Sequence, residues 1–121
     1  MPSSFRDLRA WQEAMGLAVA TYRLTGKFPN YEFYGLVSQL RRAAVSVPSN
    51  IAEGKGRHTD RDFTNFLYHA RGSLLELQTQ VLIAQELQYL SKQETGELLE
   101  QASKVGRSLS GLINALSERT A

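Results

Sequence analysis

The chain has 121 residues, with 14 Lys and Arg against 12 Asp and Glu, and it contains no cysteine. This length suits one domain, and the missing thiols exclude disulfides, thiolate metal sites and cysteine nucleophiles. A formal charge of +2 is too small to indicate a polyanionic partner by itself. The sequence shows no signal-peptide pattern and no stretch suited to a membrane span, so we expect a single cytoplasmic domain over residues 1–121 that has no membrane partner.

The first predicted helix covers residues 5–22, where apolar residues recur at spacings of three and four, as in a helix of a bundle. Ser4 is its predicted N-cap, with Asp7 three residues later, and Gly26 predicts the end of the helix. The predicted buried seam consists of Leu8, Trp11, Met15, Ala18 and Tyr22.

The second predicted helix contains a proline. Its predicted seam is Phe33, Val37, Leu40, Ala44, Val47 and Ile51. Pro48 removes one backbone hydrogen bond and collides with the carbonyl of Ala44, at a cost of about 3 kcal/mol. Because the seam keeps its register past Pro48, we expect one long, bent helix. The alternative is a separate short helix that begins at Pro48, since proline is tolerated as the first helical residue.

Two further helices follow. Thr59 is the predicted N-cap of the third helix, with a seam at Phe63, Leu67, Ala70, Leu74, Leu77, Val81 and Ala84. Ser91 and Glu94 predict the start of the fourth, with a seam at Leu98, Ala102, Val105, Leu109, Leu112 and Leu116. The sequence has no sustained alternation of apolar and polar residues, the period-two pattern that would indicate a strand. Four helices with short connections predict an all-α, antiparallel up-down-up-down four-helix bundle.

The second helix also carries a stripe of mostly short polar side chains. Its members are Gln39, Arg42, Ser46, Asn50, Glu53 and Arg57. The stripe is either an ordinary wet surface that ends at a glycine cap, or a polar seam buried against another helix or subunit. Folding the third helix back on the second places Gln39 near Glu76. The predicted structural polar seam is therefore Gln39, Ser46, Asn50, Glu53 and Glu76.

Familiar catalytic constellations cannot be assembled from this sequence. His58 and His69 lack the helical spacing that would place both on one metal ion. Glu53 and Glu76 could form a carboxylate pair, but acid–base catalysis also needs a cleft, which a filled bundle core does not offer. We therefore expect a protein that is not an enzyme, with no catalytic residue, no metal site and no cofactor.

Positive charge is concentrated in the first half of the chain. Residues 1–57 hold eight basic and four acidic side chains, whereas residues 58–121 hold six and eight. The candidate nucleic-acid contacts are Arg41, Arg42, Lys55, Arg57 and Arg61. Asp60 and Asp62 interrupt the basic turn, so a solvated turn explains this part of the pattern equally well.

Three segments resemble one known family. They are SQLRRAAVSVPSNIAEGKGR at 38–57, FRDLRAWQEAM at 5–15 and FLYHARGSLLELQTQ at 66–80, and VPSNIAEG is the most specific piece. The chain resembles the four-helix-bundle proteins encoded by intervening sequences within bacterial 23S ribosomal RNA genes. The resemblance implies a homo-oligomer, typically a pentameric ring. A similar protein, the accessory protein of diversity-generating retroelements, forms such a ring and binds nucleic acid and a reverse transcriptase.

Residues and resemblance together predict a non-enzymatic, oligomeric accessory protein that is associated with nucleic acid, RNA or DNA, or with a ribonucleoprotein. The alternative is a homo-oligomeric scaffold that binds a protein partner and has no nucleic-acid role. Retention on a polyanion that weakens with salt would distinguish the two, because phosphate contacts release counterions.

Overall fold

The computed structural model describes residues 4–120, and this part of the chain contains helices and turns but no β-strand. The four helices are α1 Arg9–Thr25, α2 Leu36–Lys55, α3 Asp60–Glu86 and α4 Lys92–Thr120. Short 3-10 turns lie at Phe5–Asp7 and Asn30–Glu32. The all-α, four-helix prediction is confirmed. The ends of the predicted domain, residues 1–3 and 121, lie outside the described residues.

The helices are arranged as a square. α1 packs on α2, α2 on α3, α3 on α4 and α4 on α1, and within residues 4–120 the diagonal pairs make no close contact. Hydrogen bonds join Gln39 to Gln80 and Ser46 to Ser73 across α2 and α3. Gln39 thus lies opposite Gln80, one helical turn beyond the predicted Glu76, because α2 and α3 pair about a centre that lies later in the chain than the prediction assumed.

One hydrophobic core fills the space between the helices. The predicted seam of α3 is buried throughout, and so is that of α2 from Val37 to Ile51. α2 continues through Pro48 as one helix, which confirms the expected long helix and makes the alternative of a separate short helix wrong. Phe33 precedes α2 and is 53% exposed, which corrects its place in the seam. In α4 Ile113 is buried in the core in place of the predicted Leu112, and Leu112 packs at the edge of the core.

The predicted seam of α1 is only partly correct, since Leu8 and Ala18 are buried and Trp11 packs at the edge of the core. Met15 and Tyr22 are 40% and 44% exposed. The buried residues of α1 are Ala10, Ala14, Leu17, Ala18, Thr21 and Thr25. The hydroxyls of Thr21 and Thr25 donate to the carbonyls of Leu17 and Thr21, so both threonines are satisfied inside the core. Apart from Leu17, the side chains of α1 that face the core are therefore small, whereas Met15, Val19 and Tyr22 are exposed.

The start of α1 also differs from the prediction. Ser4 caps the 3-10 turn Phe5–Asp7, where its hydroxyl accepts from the Arg6 backbone N–H at 3.2 Å. α1 itself begins at Arg9, after Leu8, which provides no side-chain cap. A 3-10 turn thus intervenes between Ser4 and the helix, as is common at helix N-termini.

The caps of α3 and α4 are those that the sequence predicts. Thr59 accepts from the Asp62 backbone N–H at 3.1 Å. Ser91 and Glu94 form a reciprocal capping box, with N–H to side-chain distances of 3.0 and 2.9 Å. Lys27 binds the Glu94 carboxylate from the α1–α2 loop, and hydrogen bonds from Lys27 and the Ser91 backbone lower the pKa of Glu94.

Gly54 lies at a close contact between α2 and α3. A Cβ atom at this position would stand 2.7 Å from Phe66 Cβ and 2.9 Å from Phe63 Cδ1. Both distances are shorter than real Cβ contacts, so only glycine fits without moving the helices apart. α2 continues to Lys55, and Gly56 is its C-cap. The glycine in SNIAEG thus serves helix packing rather than helix termination.

Candidate functional site

A polar groove runs between α2 and α3. The hydroxyls of Ser46 and Ser73 lie 2.8 Å apart. The side-chain amide of Asn50 donates to the Ser46 carbonyl at 2.8 Å and to the Ser46 hydroxyl at 3.0 Å. Farther along, Gln80 Nε2 donates to Gln39 Oε1 at 3.4 Å. Three members of the predicted polar seam, Gln39, Ser46 and Asn50, therefore have partners within the subunit.

The two carboxylates of the predicted seam lie in different environments. Glu53 forms an ion pair with Arg57 at 2.8 Å, and both side chains are about half exposed. Such a pair one helical turn apart contributes only about 0.3 to 0.5 kcal/mol. Glu76 is exposed and lines the polar groove together with Arg42. Glu53 thus lies at the solvent-exposed C-terminal end of α2, whereas Glu76 lies in the polar groove.

The middle of the groove widens into a polar recess of about 530 Å³. Its walls include Tyr34, Gln39, Arg42, Ser46, Glu76 and Gln80. Gln80 is only 7% exposed, and its Oε1 atom has no hydrogen-bond partner. Gln80 is not among the predicted site residues, because a polar side chain next to a core position in a helix usually faces solvent. The signal that could have found it is its place beside two core positions, Leu77 and Val81.

The predicted basic residues do not form one cluster. Arg41 and Arg42 stand near the start of α2, whereas Lys55, Arg57 and Arg61 surround its exit turn. The rise of an α-helix places Arg42 and Lys55 about 20 Å apart. The five residues therefore form two separate groups along the bundle. Arg57 already makes contacts within the subunit, because its guanidinium pairs with Glu53 and lies 4.6 Å from the ring centre of Phe66.

Arg41 is held by the end of α1. Its Nε donates to Thr25 Oγ1 at 3.0 Å, and its terminal nitrogen donates to the Tyr22 carbonyl at 3.2 Å. The guanidinium also lies 4.6 Å from the centre of the Tyr22 ring. A cation at the carbonyl end of a helix is favourable. Arg41 therefore fastens α1 to α2, and its neighbour Arg42 is the freer cation.

An apolar groove of about 500 Å³ lies between α1 and α2. It is lined by Trp11, Met15, Val19, Tyr22, Val45 and Pro48. Four of these side chains, Met15, Val19, Tyr22 and Val45, are between 40% and 44% exposed. Three residues of the predicted α1 seam, Trp11, Met15 and Tyr22, thus line this groove. We call it the α1–α2 groove.

A second apolar surface follows α3. Tyr68, Leu75 and Leu82 are spaced by seven residues, share one face of the helix and are 47%, 59% and 48% exposed. Leu75 also borders the cleft between α3 and α4. We call these three residues the α3 stripe. Because the helices form a square, the α1–α2 groove and the α3 stripe lie on opposite sides of the bundle.

Within residues 4–120, no helix is both long enough and apolar enough to cross a lipid bilayer. The same part of the chain has no group of three or more His, Asp or Glu side chains that could hold a metal ion.

A family model matches residues 6–111, which include α1, α2, α3 and most of α4. The family is that of the 23S rRNA-intervening sequence proteins. The chain belongs to this family. The match covers both apolar surfaces and the polar recess, so these features lie within the family domain of the intervening-sequence protein. The name of the family refers to 23S rRNA.

The intervening-sequence protein is also similar to a solved structure. This is the crystal structure of a protein with unknown function from the S23 ribosomal protein family of Bacteroides thetaiotaomicron VPI-5482. The TM-score is 0.78 at 17% identity, over 86% of this chain and 97% of that chain. At this identity the similarity shows a shared fold. A search of curated proteins found no match.

Proposed function

We propose that this intervening-sequence protein is a non-enzymatic, cytoplasmic accessory protein of bacteria that works as a homo-oligomeric ring, typically a pentamer, on nucleic acid or a ribonucleoprotein. Each subunit is a single domain, an antiparallel up-down-up-down bundle. The contacts between Gln39 and Gln80 and between Ser46 and Ser73 support this topology, because residue numbers fall along α2 as they rise along α3.

The observation that carries the proposal is the pair of apolar surfaces on opposite sides of one subunit. The α1–α2 groove is a concave surface, and the α3 stripe is a ridge of three side chains. Docking the stripe of one copy into the groove of the next gives a heterologous interface, which closes into a ring when the rotation between subunits allows it. Exposed apolar surface of this kind is typical of protein–protein contacts.

Charged residues near the two apolar surfaces support parallel docking, in which neighbouring subunits have the same orientation. Arg23 lines the α1–α2 groove at one end of the bundle, and Glu86 follows Leu82 of the stripe by one helical turn at the same end. Parallel docking therefore brings these two charges of opposite sign together, which favours this orientation over the reversed one.

Nucleic-acid association is supported by the family description and by uncommitted cations. Within residues 4–120, Arg42, Lys55 and Arg61 form no salt bridge, and a ring repeats each of them in every subunit. Repetition converts weak contacts into useful avidity. The ion pairs of Arg57 with Glu53 and of Arg119 with Asp60 neutralise part of the exit turn, and this favours the second candidate, a scaffold for a protein partner.

Light scattering tests the ring. We expect a mass several times the 13.5 kDa of the chain, and we expect Val19→Glu in the groove and Leu75→Glu in the stripe each to give monomers. The control is Ala115→Glu, a charge on an exposed position of α4 outside both surfaces, which should leave the mass unchanged. Circular dichroism would verify that all variants keep their helices. A wild-type monomer at micromolar concentration would contradict the ring.

Mixing the two variants tests the heterologous arrangement. The Val19→Glu subunit keeps an intact stripe, and the Leu75→Glu subunit keeps an intact groove. An equimolar mixture should therefore form a dimer with one intact interface and grow no further. A mixture that stays monomeric would show that the groove and the stripe do not bind each other.

Fluorescence anisotropy with labelled RNA and DNA tests the second half of the proposal. We expect binding at low salt, with an affinity that falls linearly with the logarithm of the salt concentration, because phosphate contacts release counterions. A wild-type ring that binds neither RNA nor DNA at low salt would transfer the function to the protein-scaffold class.

A further inference from the structure

The loop between α1 and α2 carries two solvent-exposed aromatic side chains. Tyr34 is 90% exposed and Phe33 is 53% exposed, and their ring centres lie 4.9 Å apart, edge to face. The loop is fastened by Glu32, which accepts from the Leu36 backbone N–H at 3.1 Å and from the Tyr89 hydroxyl at 2.9 Å. The aromatic pair is therefore presented by an anchored loop.

A free arginine stands beside this pair. Arg42 is exposed and, within residues 4–120, takes part in no hydrogen bond or ion pair, whereas Arg41 is bound to the end of α1. Arg42 and Tyr34 together line two neighbouring recesses. One, of about 240 Å³, includes Phe33, and the other is the polar recess of about 530 Å³. An arginine and a stacking surface thus border the same pocket.

The polar recess also contains an unsatisfied acceptor. Gln80 is 93% buried, since it is 7% exposed, and its Oε1 has no partner although Nε2 reaches Gln39. A buried amide oxygen without a donor is costly, so it favours a ligand that supplies an N–H group. The exposed Glu76 carboxylate on the same wall offers a second acceptor.

We propose that this aromatic–arginine site binds single-stranded nucleic acid, an inference that rests on the proposed function and assigns its contact surface. A base stacks on Tyr34 or Phe33, Arg42 contacts the neighbouring phosphate, and an exocyclic amino group of the base donates to Gln80 Oε1. Stacking on an aromatic side chain needs an unstacked base, which a single strand offers and a duplex does not. The exit-turn cations Lys55 and Arg61 then make only secondary contacts.

The test uses the full-length oligomer and fluorescein-labelled single-stranded RNA, single-stranded DNA and the matching duplex, at low salt. Tyr34→Ala should weaken single-strand binding roughly tenfold, and Tyr34→Phe, which keeps the ring, should restore it. Arg42→Ala should weaken binding to every strand and lower the salt slope by about one unit for each contacted phosphate. Arg9→Ala, which removes another exposed arginine at the start of α1 and outside the site, is the matched control and should change binding less than about twofold, because salt screens a distant surface charge.

The outcomes separate this site from the proposed function. Wild-type protein that binds no nucleic acid overturns both. Binding that survives Tyr34→Ala and Arg42→Ala but is lost in Arg61→Ala overturns the site and keeps the nucleic-acid function at the exit turn. A duplex bound as tightly as the single strands removes the stacking argument. A Tyr34→Ala protein with a reduced mass in light scattering would show that the Tyr34 side chain belongs to a subunit contact. That result also overturns the site.

Discussion

Replacement of Gly54 by alanine measures how closely α2 and α3 must approach. The new Cβ would stand 2.7 Å from Phe66 Cβ, about 1 Å inside ordinary carbon–carbon contact. Phe66 Cβ is fixed to its backbone, so a rotamer change cannot relieve this contact and the helices must move apart. Overpacking of this kind costs about 1 to 3 kcal/mol, more than the fraction of 1 kcal/mol that alanine gains near a helix end.

The matched control is Gly16→Ala, because a Cβ at that exposed position in the middle of α1 meets no atom within 4 Å. Gly16→Ala should stabilise the protein by up to about 1 kcal/mol through helix propensity. Thermal melts by circular dichroism at one protein concentration should then show Gly54→Ala lowered by roughly 4 to 12 °C and Gly16→Ala raised by a few degrees. Equal or higher stability of Gly54→Ala would refute the close-approach argument.

Two further stability predictions concern hydrogen bonds. Asn50→Ala removes the amide that binds Ser46 and should cost about 1 kcal/mol in urea unfolding, whereas Glu97→Ala on the exposed face of α4 should cost nearly nothing; equal midpoints would leave the polar groove without a structural role. Glu94→Gln should destabilise near neutral pH. Because the pKa of Glu94 is lower in the folded protein than its ordinary 4.5, the carboxylate stabilises above that pH and loses its effect as pH falls through the lowered value. The difference between Glu94→Gln and wild type should therefore shrink in acid, and a pH-independent difference would contradict the cap.

The sequence predicts α2 and α3 well because their cores consist of large aliphatic residues at regular spacing. It predicts α1 poorly for a physical reason. Apart from Leu17, the core side of α1 is made of alanine and threonine, and its other large apolar side chains, Trp11, Met15, Val19 and Tyr22, line the α1–α2 groove. Hydropathy alone ranks the groove side as the core, since it cannot tell a buried face from one that is apolar and exposed.

Other features depend on tertiary neighbours that a sequence does not identify. Gly54 looks like a helix terminator until the position of Phe66 is known. Arg41 looks like a nucleic-acid contact until the carbonyl of Tyr22 is found beside it. Gln80 becomes notable only when the structure leaves its oxygen without a partner. The five predicted nucleic-acid residues and the predicted polar seam stay predictions, whose placement is now known.

The small core residues of α1 have a consequence for local opening. α1 buries only one large aliphatic side chain, Leu17, whereas α3 buries five large apolar residues and is the longer helix. Detaching α1 thus exposes far less apolar surface than unfolding α3, so the amides of α1 should exchange with deuterium before those of α3. In the proposed ring a neighbour covers the outer side of α1. Subunit assembly should then slow exchange in α1 most of all, and the helix held least firmly within its own chain would be held by the next.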